Sequence, residues 1–478
     1  MLGVPFVLPA LWFWALFGVA LFLFGLQSIS SSRSAAVFGV VVFWVKSLFA
    51  VSWFLSTYPI EWMDLSLGVF ELPVIIFYLS TVALFLSFGG GLLAVLWQVL
   101  KVHVPTFLVP VLFALLWVGA EILGSVGFSI GTLGAGSTIN GMFSFGYLGY
   151  ALGVHPLLLQ GAALAGVYGL SFLGAVLGFG LYVLYQRRSR QQFVLVSISF
   201  VLILVLTGVV FKNTAPSYSQ KTVAIIDTQF SGALQKRVDG PWYKQTQIEE
   251  ALSAALALEP DYIILPEDSR FTDAKLTPIG AYRLFRFQSG DATSIVIDSG
   301  RVPLGDAGVL RAVVYDGNQK TAHITDKQYL VPQGEFMPTF YARTLQLIGM
   351  GDTATALGKK LSYRPGPQNT QSEFPDHVPG ILFCFESADP RGVRKLLAER
   401  EVPFVAHPIS HAWFHQSQIL WQQQDVMLKI QALWNQVSIV SAGNMMQGAL
   451  YTKTGEKVIP TPVASGESWR VSVVRLQE

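Results

Sequence analysis

"DYIILPEDSR", residues 261–270, reads as a short apolar strand that runs straight into Pro266, Glu267 and Asp268. A buried strand that delivers a carboxylate to its own end is a unit of α/β architecture when helical patterns separate such strands. That alternation extends from about residue 220 to the end of the sequence. Strands are expected at 222–227, 262–265, 294–298, 310–315, 380–385, 437–442 and 469–476. Helical patterns at 243–257, 390–400 and 416–434 separate several of them.

The residues ahead of this domain are of a different kind. The 478-residue chain is 52% hydrophobic and only 13% charged, a balance that points to a polytopic membrane protein with a soluble domain attached. Apolar runs at 5–27, 36–57, 69–99, 104–125, 157–186 and 191–212 are each near or above the ~20 residues needed to cross a bilayer, so six spans are expected. Gly89, Gly90 and Gly91 would kink the third. The sequence divides into a transmembrane domain over 1–212 and an α/β domain over 213–478.

Basic residues orient the spans. Arg33, Lys101 and the group Arg187, Arg188 and Arg190 fall in alternate loops, while the others carry Glu61, Asp64 and Glu71 or no charge. The positive-inside rule makes the basic loops cytoplasmic and places the α/β domain on the outer face. The start "MLGVPFVLPALWFW" lacks a basic n-region and reads as an uncleaved span. A net charge of +2 with no dense basic patch excludes a nucleic-acid partner. A single cysteine, Cys384, excludes a disulfide within the chain.

Three strand ends carry chemistry. "DYIILPEDSR" supplies Glu267; "DKQYLVPQGEF" (326–336) supplies Lys327 and, eight positions on, Glu335. "GILFCFESADP" (380–390) delivers Cys384 just before Glu386 and a helix expected near Asp389, whose N-terminus would favour a thiolate. A carboxylate, an ammonium and a thiol form an acyl-transfer set: the acid takes the thiol proton, sulfur attacks a carbonyl, and the lysine stabilises the oxyanion. No metal or other cofactor is called for, and no cluster has zinc-ligand spacing.

The order Glu, Lys, Cys within "LPED", "DKQYLVPQGEF" and "FCFE" resembles the carbon–nitrogen hydrolase (nitrilase) superfamily. With the spans ahead of it, the chain resembles the apolipoprotein N-acyltransferase family within that superfamily. "FSFGYLGYALGVHPLLLQGAALAGVYGLSFL" (143–173), "HAWF" (411–414) and Asn444 resemble further family segments. The resemblance implies a polytopic α-helical membrane domain followed by a nitrilase-like α/β domain, a four-layer α-β-β-α sandwich. It implies Glu267 as general base, Lys327 as oxyanion-stabilising cation and Cys384 as nucleophile. Glu335, Glu386, Trp413 and Asn444 are supporting residues, and Trp242 in "DGPWYKQ" matches a substrate-contacting tryptophan.

The implied reaction takes an acyl chain from a membrane phospholipid as a Cys384 thioester and transfers it to the N-terminal amine of a diacylglyceryl-cysteine lipoprotein. The implied setting is a monomer in the bacterial cytoplasmic (inner) membrane, its catalytic domain on the periplasmic face. Two alternatives stay open from the residues: a membrane-tethered nitrilase-type amidase, and a non-catalytic lipid- or lipoprotein-binding relative. Family members usually have eight spans, one more at each end, and the expected facing survives that difference. Phe385, Leu310, Ser410, His411, His415 and Met446 stand where the family commonly has other residues. "FMPTFYARTLQLIGMG" (336–351) is expected to be a mobile flap touching the membrane through Phe336, Met337, Phe340, Leu345 and Ile348. Glu121, within "LLWVGAEILGS", is an acid at membrane depth and by default a functional candidate.

Overall fold

A computed structural model describes residues 1–60, 68–186 and 220–477, apart from 233, 235–238, 272–281, 284, 287–289, 291 and 369. The expected sixth span and the basic group at 187–190 lie outside the described residues. The N-terminal part is helical: α1 (Trp14–Gln27), α2 (Ser32–Ala50), α3 (Glu71–Leu100), α4 (Val109–Gly131), α5 (Leu148–Gly153), α6 (Pro156–Leu159) and α7 (Ala162–Tyr185). Four of these stretches, Ser32–Ala50, Gly68–Leu100, Thr106–Gly131 and Ala162–Tyr185, are long and apolar enough to cross a membrane.

The first expected span is shorter than the apolar run. Pro5 and Pro9 lack amide donors, and the chain forms 3-10 turns at Val4–Phe6 and Pro9–Leu11 before α1 begins. The fifth breaks at Ala165 and Gly166, where Gly166 has φ 58° and a Cβ would lie 2.4 Å from Trp434. The glycines of α3 do not kink it. A Cβ on Gly89 would meet the Ala120 carbonyl of α4 at 1.8 Å, so the absent side chain lets the two helix backbones touch.

Lys46 and Glu121 meet inside this bundle, 3.2 Å apart and both buried. Glu121 Oε1 also accepts from Trp117 Nε1 at 3.1 Å and from the Leu148 amide at 2.7 Å. It therefore ties α2 and α4 to the start of α5. Sequence reading passes over Lys46, a cation within the apolar run of α2 that its partner on α4 explains.

The second part contains β1 (Gln220–Thr228), α8 (Gly240–Leu256), β2 (Tyr262–Ile264), β3 (Ile295–Leu304), β4 (Ala307–Asp316) and β5 (Thr321–Asp326). Then come α9 (Thr339–Leu347), α10 (Gly351–Lys360), β6 (Gly380–Ile381), α11 (Gly392–Glu399), β7 (Val405–Ser410) and α12 (Gln418–Asn435). The domain ends with β8 (Ile439–Asn444), β9 (Ala449–Tyr451), β10 (Lys457–Val458), β11 (Pro462–Ser465) and β12 (Trp469–Gln477). One run of strands is β12-β1-β2-β3-β4-β5 and the other β6-β7-β8-β9-β10; they join where Thr228 pairs with Asn444.

Side-chain alternation sorts these elements into four layers. Val223 and Ile225 of β1 share a core with Ala406 of β7 and Val440 of β8, which packs the two runs face to face. Their neighbours Ala224 and Ile226 face Ile248, Ala251 and Leu252 of α8. On the far side Val405 and Ile439 pack against Val393 of α11 and Leu428 and Ala432 of α12. The order is helix, sheet, sheet, helix, the expected sandwich.

The two parts share an interface. The Ser144 amide and hydroxyl both donate to the Ala388 carbonyl, at 3.3 and 2.6 Å, and Gln423 Nε2 of α12 donates to the Ala50 carbonyl at 2.9 Å. Arg33, at the start of α2, and Lys101, after α3, lie at the opposite end of the bundle, where Gln98 Nε2 bonds the Leu26 and Ile29 carbonyls.

Lys46→Met leaves a carboxylate buried without its cation and is expected to cost about 3–5 kcal/mol. Adding Glu121→Gln, which keeps an acceptor for Trp117 and Leu148, should restore most of it. Thermal unfolding in detergent micelles measures both.

Candidate active site

Glu267 follows β2, and the chain behind it turns sharply. Asp268 and Arg270 adopt left-handed φ values of 61° and 57°, a conformation that costs non-glycine residues energy and concentrates at functional sites. Ser299 holds the turn in place, its hydroxyl accepting from the Asp268 amide and its carbonyl from the Arg270 amide, both at 2.9 Å.

Lys327 follows β5. Its amide donates to the Leu310 carbonyl at 2.8 Å, and the preceding Asp326 is gripped by Arg311 through two bonds of 2.7 and 3.0 Å. The ammonium is fully buried and reaches Glu267 Oε1 at 3.1 Å and Glu335 Oε1 at 2.8 Å. The second oxygen of Glu335 accepts from the Val331 amide at 2.8 Å, which closes the Pro-Gln-Gly turn over the lysine.

Cys384 opens a five-residue 3-10 turn, Cys384–Ala388, and α11 begins only at Gly392. The helix expected near Asp389 thus starts three residues later, and a 3-10 turn, not an α-helix, adjoins the thiol. Sγ lies 3.9 Å from the Ser410 carbonyl. Glu386 fastens the turn to the lysine loop: Oε1 accepts from the Gln328 and Tyr329 amides at 2.8 and 3.1 Å, and Oε2 from the Phe383 amide at 3.0 Å.

Electrostatics set the resting protonation. Burial, reinforced by the nearby Glu267 charge, pushes the Cys384 thiol well above its ordinary range despite the opposing pull of Lys327. The resting group is a thiol, against the expectation of a thiolate at a helix start. Burial raises Glu267 to about 7, with Lys327 pulling it down and Glu335 pushing it up. Burial alone would lower Lys327; the two carboxylates outweigh it and carry its pKa above the ordinary value. Glu267 is thus poised as a base near neutrality beside a permanent cation.

These groups open onto a cavity of about 1150 Å³. Its lining includes Glu267, Glu335 and Cys384 on one side and Phe54, Phe77, Tyr78, Phe128, Phe143 and Phe145 of the helical part on another. Trp413, Phe385, Leu310, Ser410, His411 and Asn444 also line it. Asn444 ties strand ends together, its Oδ1 accepting from Thr228 Oγ1 at 2.9 Å and its Nδ2 donating to Ser410 Oγ at 3.0 Å. Trp242 is 72% exposed on α8 and is not among the cavity residues, because its helix turns that side to solvent.

The departures from the family pattern have visible places. Phe385 packs against Tyr329 and Phe143, with ring centroids 5.0 and 5.9 Å away. His411 is buried, with Nε2 at 2.8 Å from Gln424 Oε1, and burial pushes it down to about 3, so it is neutral. His415 keeps a left-handed φ of 43° and holds the Ser56 carbonyl through Nδ1 at 2.7 Å.

The expected flap is a packed element along part of its length. Phe336 is buried, and α9 sits on α3, where Tyr341 packs on Tyr78 and Phe340 on Phe85 at centroid distances of 4.7 and 5.6 Å. Leu347 and Ile348 beyond it remain 87% and 63% exposed.

Because the Glu267 charge raises the thiol, Glu267→Gln should lower the apparent pKa of Cys384, and Lys327→Met should raise it. The pH dependence of alkylation by iodoacetamide reads both shifts.

Residues 1–180 match the family model described as the apolipoprotein N-acyltransferase N-terminal domain. The apolipoprotein N-acyltransferase of Rickettsia prowazekii is 22% identical over 286 residues, 56% of this chain and 53% of that protein. The chain thus spans about half the length of the curated relative it matches. Among solved structures, a cysteine mutant of a Nesterenkonia amidase from the nitrilase superfamily matches at TM-score 0.38 and 15% identity, covering 56% of this chain and 94% of its own. The NitFhit protein of C. elegans matches at TM-score 0.35 and 10% identity, over 53% of this chain and 60% of its own. The first 180 residues are thus similar to the N-terminal domain of the apolipoprotein N-acyltransferases, and over about half its length the chain is similar, at low identity, to one such protein.

Proposed function

We propose that this chain is an N-acyltransferase that moves a fatty acyl chain from a membrane phospholipid, through a thioester on Cys384, to the N-terminal amine of a diacylglyceryl-cysteine lipoprotein. The observation that carries this reading is the shared cavity, in which the Glu267 acid and the Cys384 thiol face aromatic walls built by the helical part, with the buried Lys327 ammonium 3.1 Å behind the acid. A fatty acyl chain leaving the bilayer finds apolar surface up to the sulfur. A small polar amide, the substrate of the amidase alternative, would leave those walls unused.

In the first half-reaction Glu267 takes the Cys384 proton as sulfur attacks the ester carbonyl. Lys327 faces the oxyanion, and the lysophospholipid alkoxide leaves with the proton held by Glu267. In the second, Glu267 takes a proton from the attacking amine and returns it to the departing sulfur. Glu335 and Glu386 act through Lys327 and the Cys384 turn as positioning residues. Burial of the site limits water, which would divert the thioester to a free fatty acid.

The basic ends of the helices lie away from the α/β domain, which supports a catalytic domain on the outer face of the bacterial cytoplasmic membrane. The domain limits that fit are a membrane part over 1–212 and a catalytic part over 213–478, with the protein acting as a monomer.

Incubation with phospholipid micelles should add a fatty-acyl mass that neutral hydroxylamine removes and that Cys384→Ala lacks, read by intact-protein mass spectrometry. A diacylglyceryl-cysteine peptide should then discharge it as an amide. Bound lipid with neither adduct nor released fatty acid would sink the proposal in favour of a non-catalytic binder; fatty acid release unaffected by the amine would favour a hydrolase. Since the base must be ionised, single-turnover acylation should rise about tenfold per pH unit below about 7 and level off above it. Lys327→Met should slow it by about 10²–10³-fold at any pH.

A further inference from the structure

One wall of the catalytic cavity is built from charges that the acyl-transfer steps do not use. Arg270 holds the Asp268 carboxylate through Nε at 2.6 Å and Nη2 at 3.0 Å, and Arg301 Nε approaches the same carboxylate at 3.1 Å. Lys244 Nζ donates to the Asp268 backbone carbonyl at 2.5 Å, and Phe230 lies 5.8 Å beneath the ammonium. Lys244, Asp268, Arg270 and Arg301 all line the cavity.

Three cations therefore flank Asp268, and Arg301 Nη1 also donates to Tyr363 Oη at 2.9 Å. Asp298 stands behind the turn, where it accepts from Ser269 Oγ at 2.5 Å. Burial lowers the Lys244 pKa, Asp268 pulls it up, Arg270 and Arg301 push it down again, and Asp298 also pulls it up. Excess positive charge held away from water is costly unless an anion joins it. The Arg270 side chain is 50% exposed, which leaves one edge of its guanidinium open to a ligand.

Resting on the phospholipid-donor reading above, we propose that Lys244, Arg270 and Arg301 form the binding subsite for the phosphodiester of the acyl-donor lipid. A phosphate-type oxyanion offers several oxygens to a planar fork and an ammonium at once, the arrangement these side chains present. Its placement suits a lipid headgroup. Asp268 follows Glu267 directly in the chain, and the cations around it line the same cavity as Glu267 and Cys384. The acyl chain would then run toward the aromatic walls and the headgroup toward Arg270.

The test uses the full chain carrying Cys384→Ala in detergent micelles, so that binding is read without turnover. Isothermal titration compares dioctanoyl phosphatidylglycerol, dioctanoylglycerol and inorganic phosphate. The phosphatidylglycerol is expected to bind about tenfold or more tightly than the phosphate-free lipid. Lys244→Gln and the half-exposed Arg270→Gln should each reduce that preference, and Lys244→Arg should keep it. Equal affinity for the two lipids, or a preference untouched by both glutamine variants, would overturn the subsite. Inorganic phosphate that displaces the phospholipid at comparable concentration would assign the site to free phosphate and overturn the lipid assignment. If Cys384 in the unsubstituted protein is acylated by neither lipid, the transfer reading fails; if it is acylated equally well by both, only the phosphate subsite fails.

Discussion

The ammonium of Lys327 is buried completely, and a charge so placed is tolerated only where carboxylates and hydrogen bonds replace the water it has lost. Glu267 and Glu335 provide that replacement. The pair leaves one more negative than positive charge when both acids are ionised. Burial is the main reason proton affinity rises on Glu267 and on the nearby Cys384 thiol, and the surplus negative charge adds to it. Burial thus holds sulfur neutral at rest and raises the acid toward neutrality, while the contact with Lys327 keeps that rise in check.

Geometry follows from the backbone around this contact. The three charged or nucleophilic groups come from separate strand ends, and Glu386 keeps two of those ends in register through three amide bonds. The Cys384 turn ends at Ala388, whose carbonyl is held by Ser144 of the helical part. Ser144 in turn lies between Phe143, whose carbonyl accepts from Ser125 Oγ, and the α5 start, which Glu121 anchors. A continuous set of hydrogen bonds thus runs from the Lys46–Glu121 pair inside the bundle to the nucleophile turn. The helical bundle and the α/β domain are therefore one structural unit, and on the proposed reading that union would bring two bilayer-anchored reactants to one cysteine.

Much of the fold was legible in local pattern. β1, β2, β4, β8 and β12 fall where apolar runs of strand length occur, and α8, α11 and α12 lie within a few residues of their amphipathic stretches. β5 and β7 escaped because "TAHITD" mixes polar residues into an edge strand paired with β4, and "VAHPIS" puts a histidine and a proline into a strand paired on both sides. The expected strand at 380–385 stops at Ile381, since the residues after it serve the Cys384 turn. The span boundaries moved for a related reason. Hydropathy reports how apolar a run is, while Pro5, Pro9 and Gly166 decide where helix geometry can continue.

Chain order and residue type by themselves determined that an acid, a lysine and a cysteine sit at the ends of strands, and that apolar helices precede them. Those features are local: each depends on side-chain periodicity and on the residue that ends it. Tertiary structure alone decided that Cys384 is a thiol at rest, that Glu267 titrates near 7, that Trp242 faces solvent and that Lys46 finds Glu121. It also gathered Lys244, Arg270 and Arg301 around Asp268 on one cavity wall. Burial and charge act through space, so their values belong to the packed surroundings of a group and cannot be read from its neighbours along the chain.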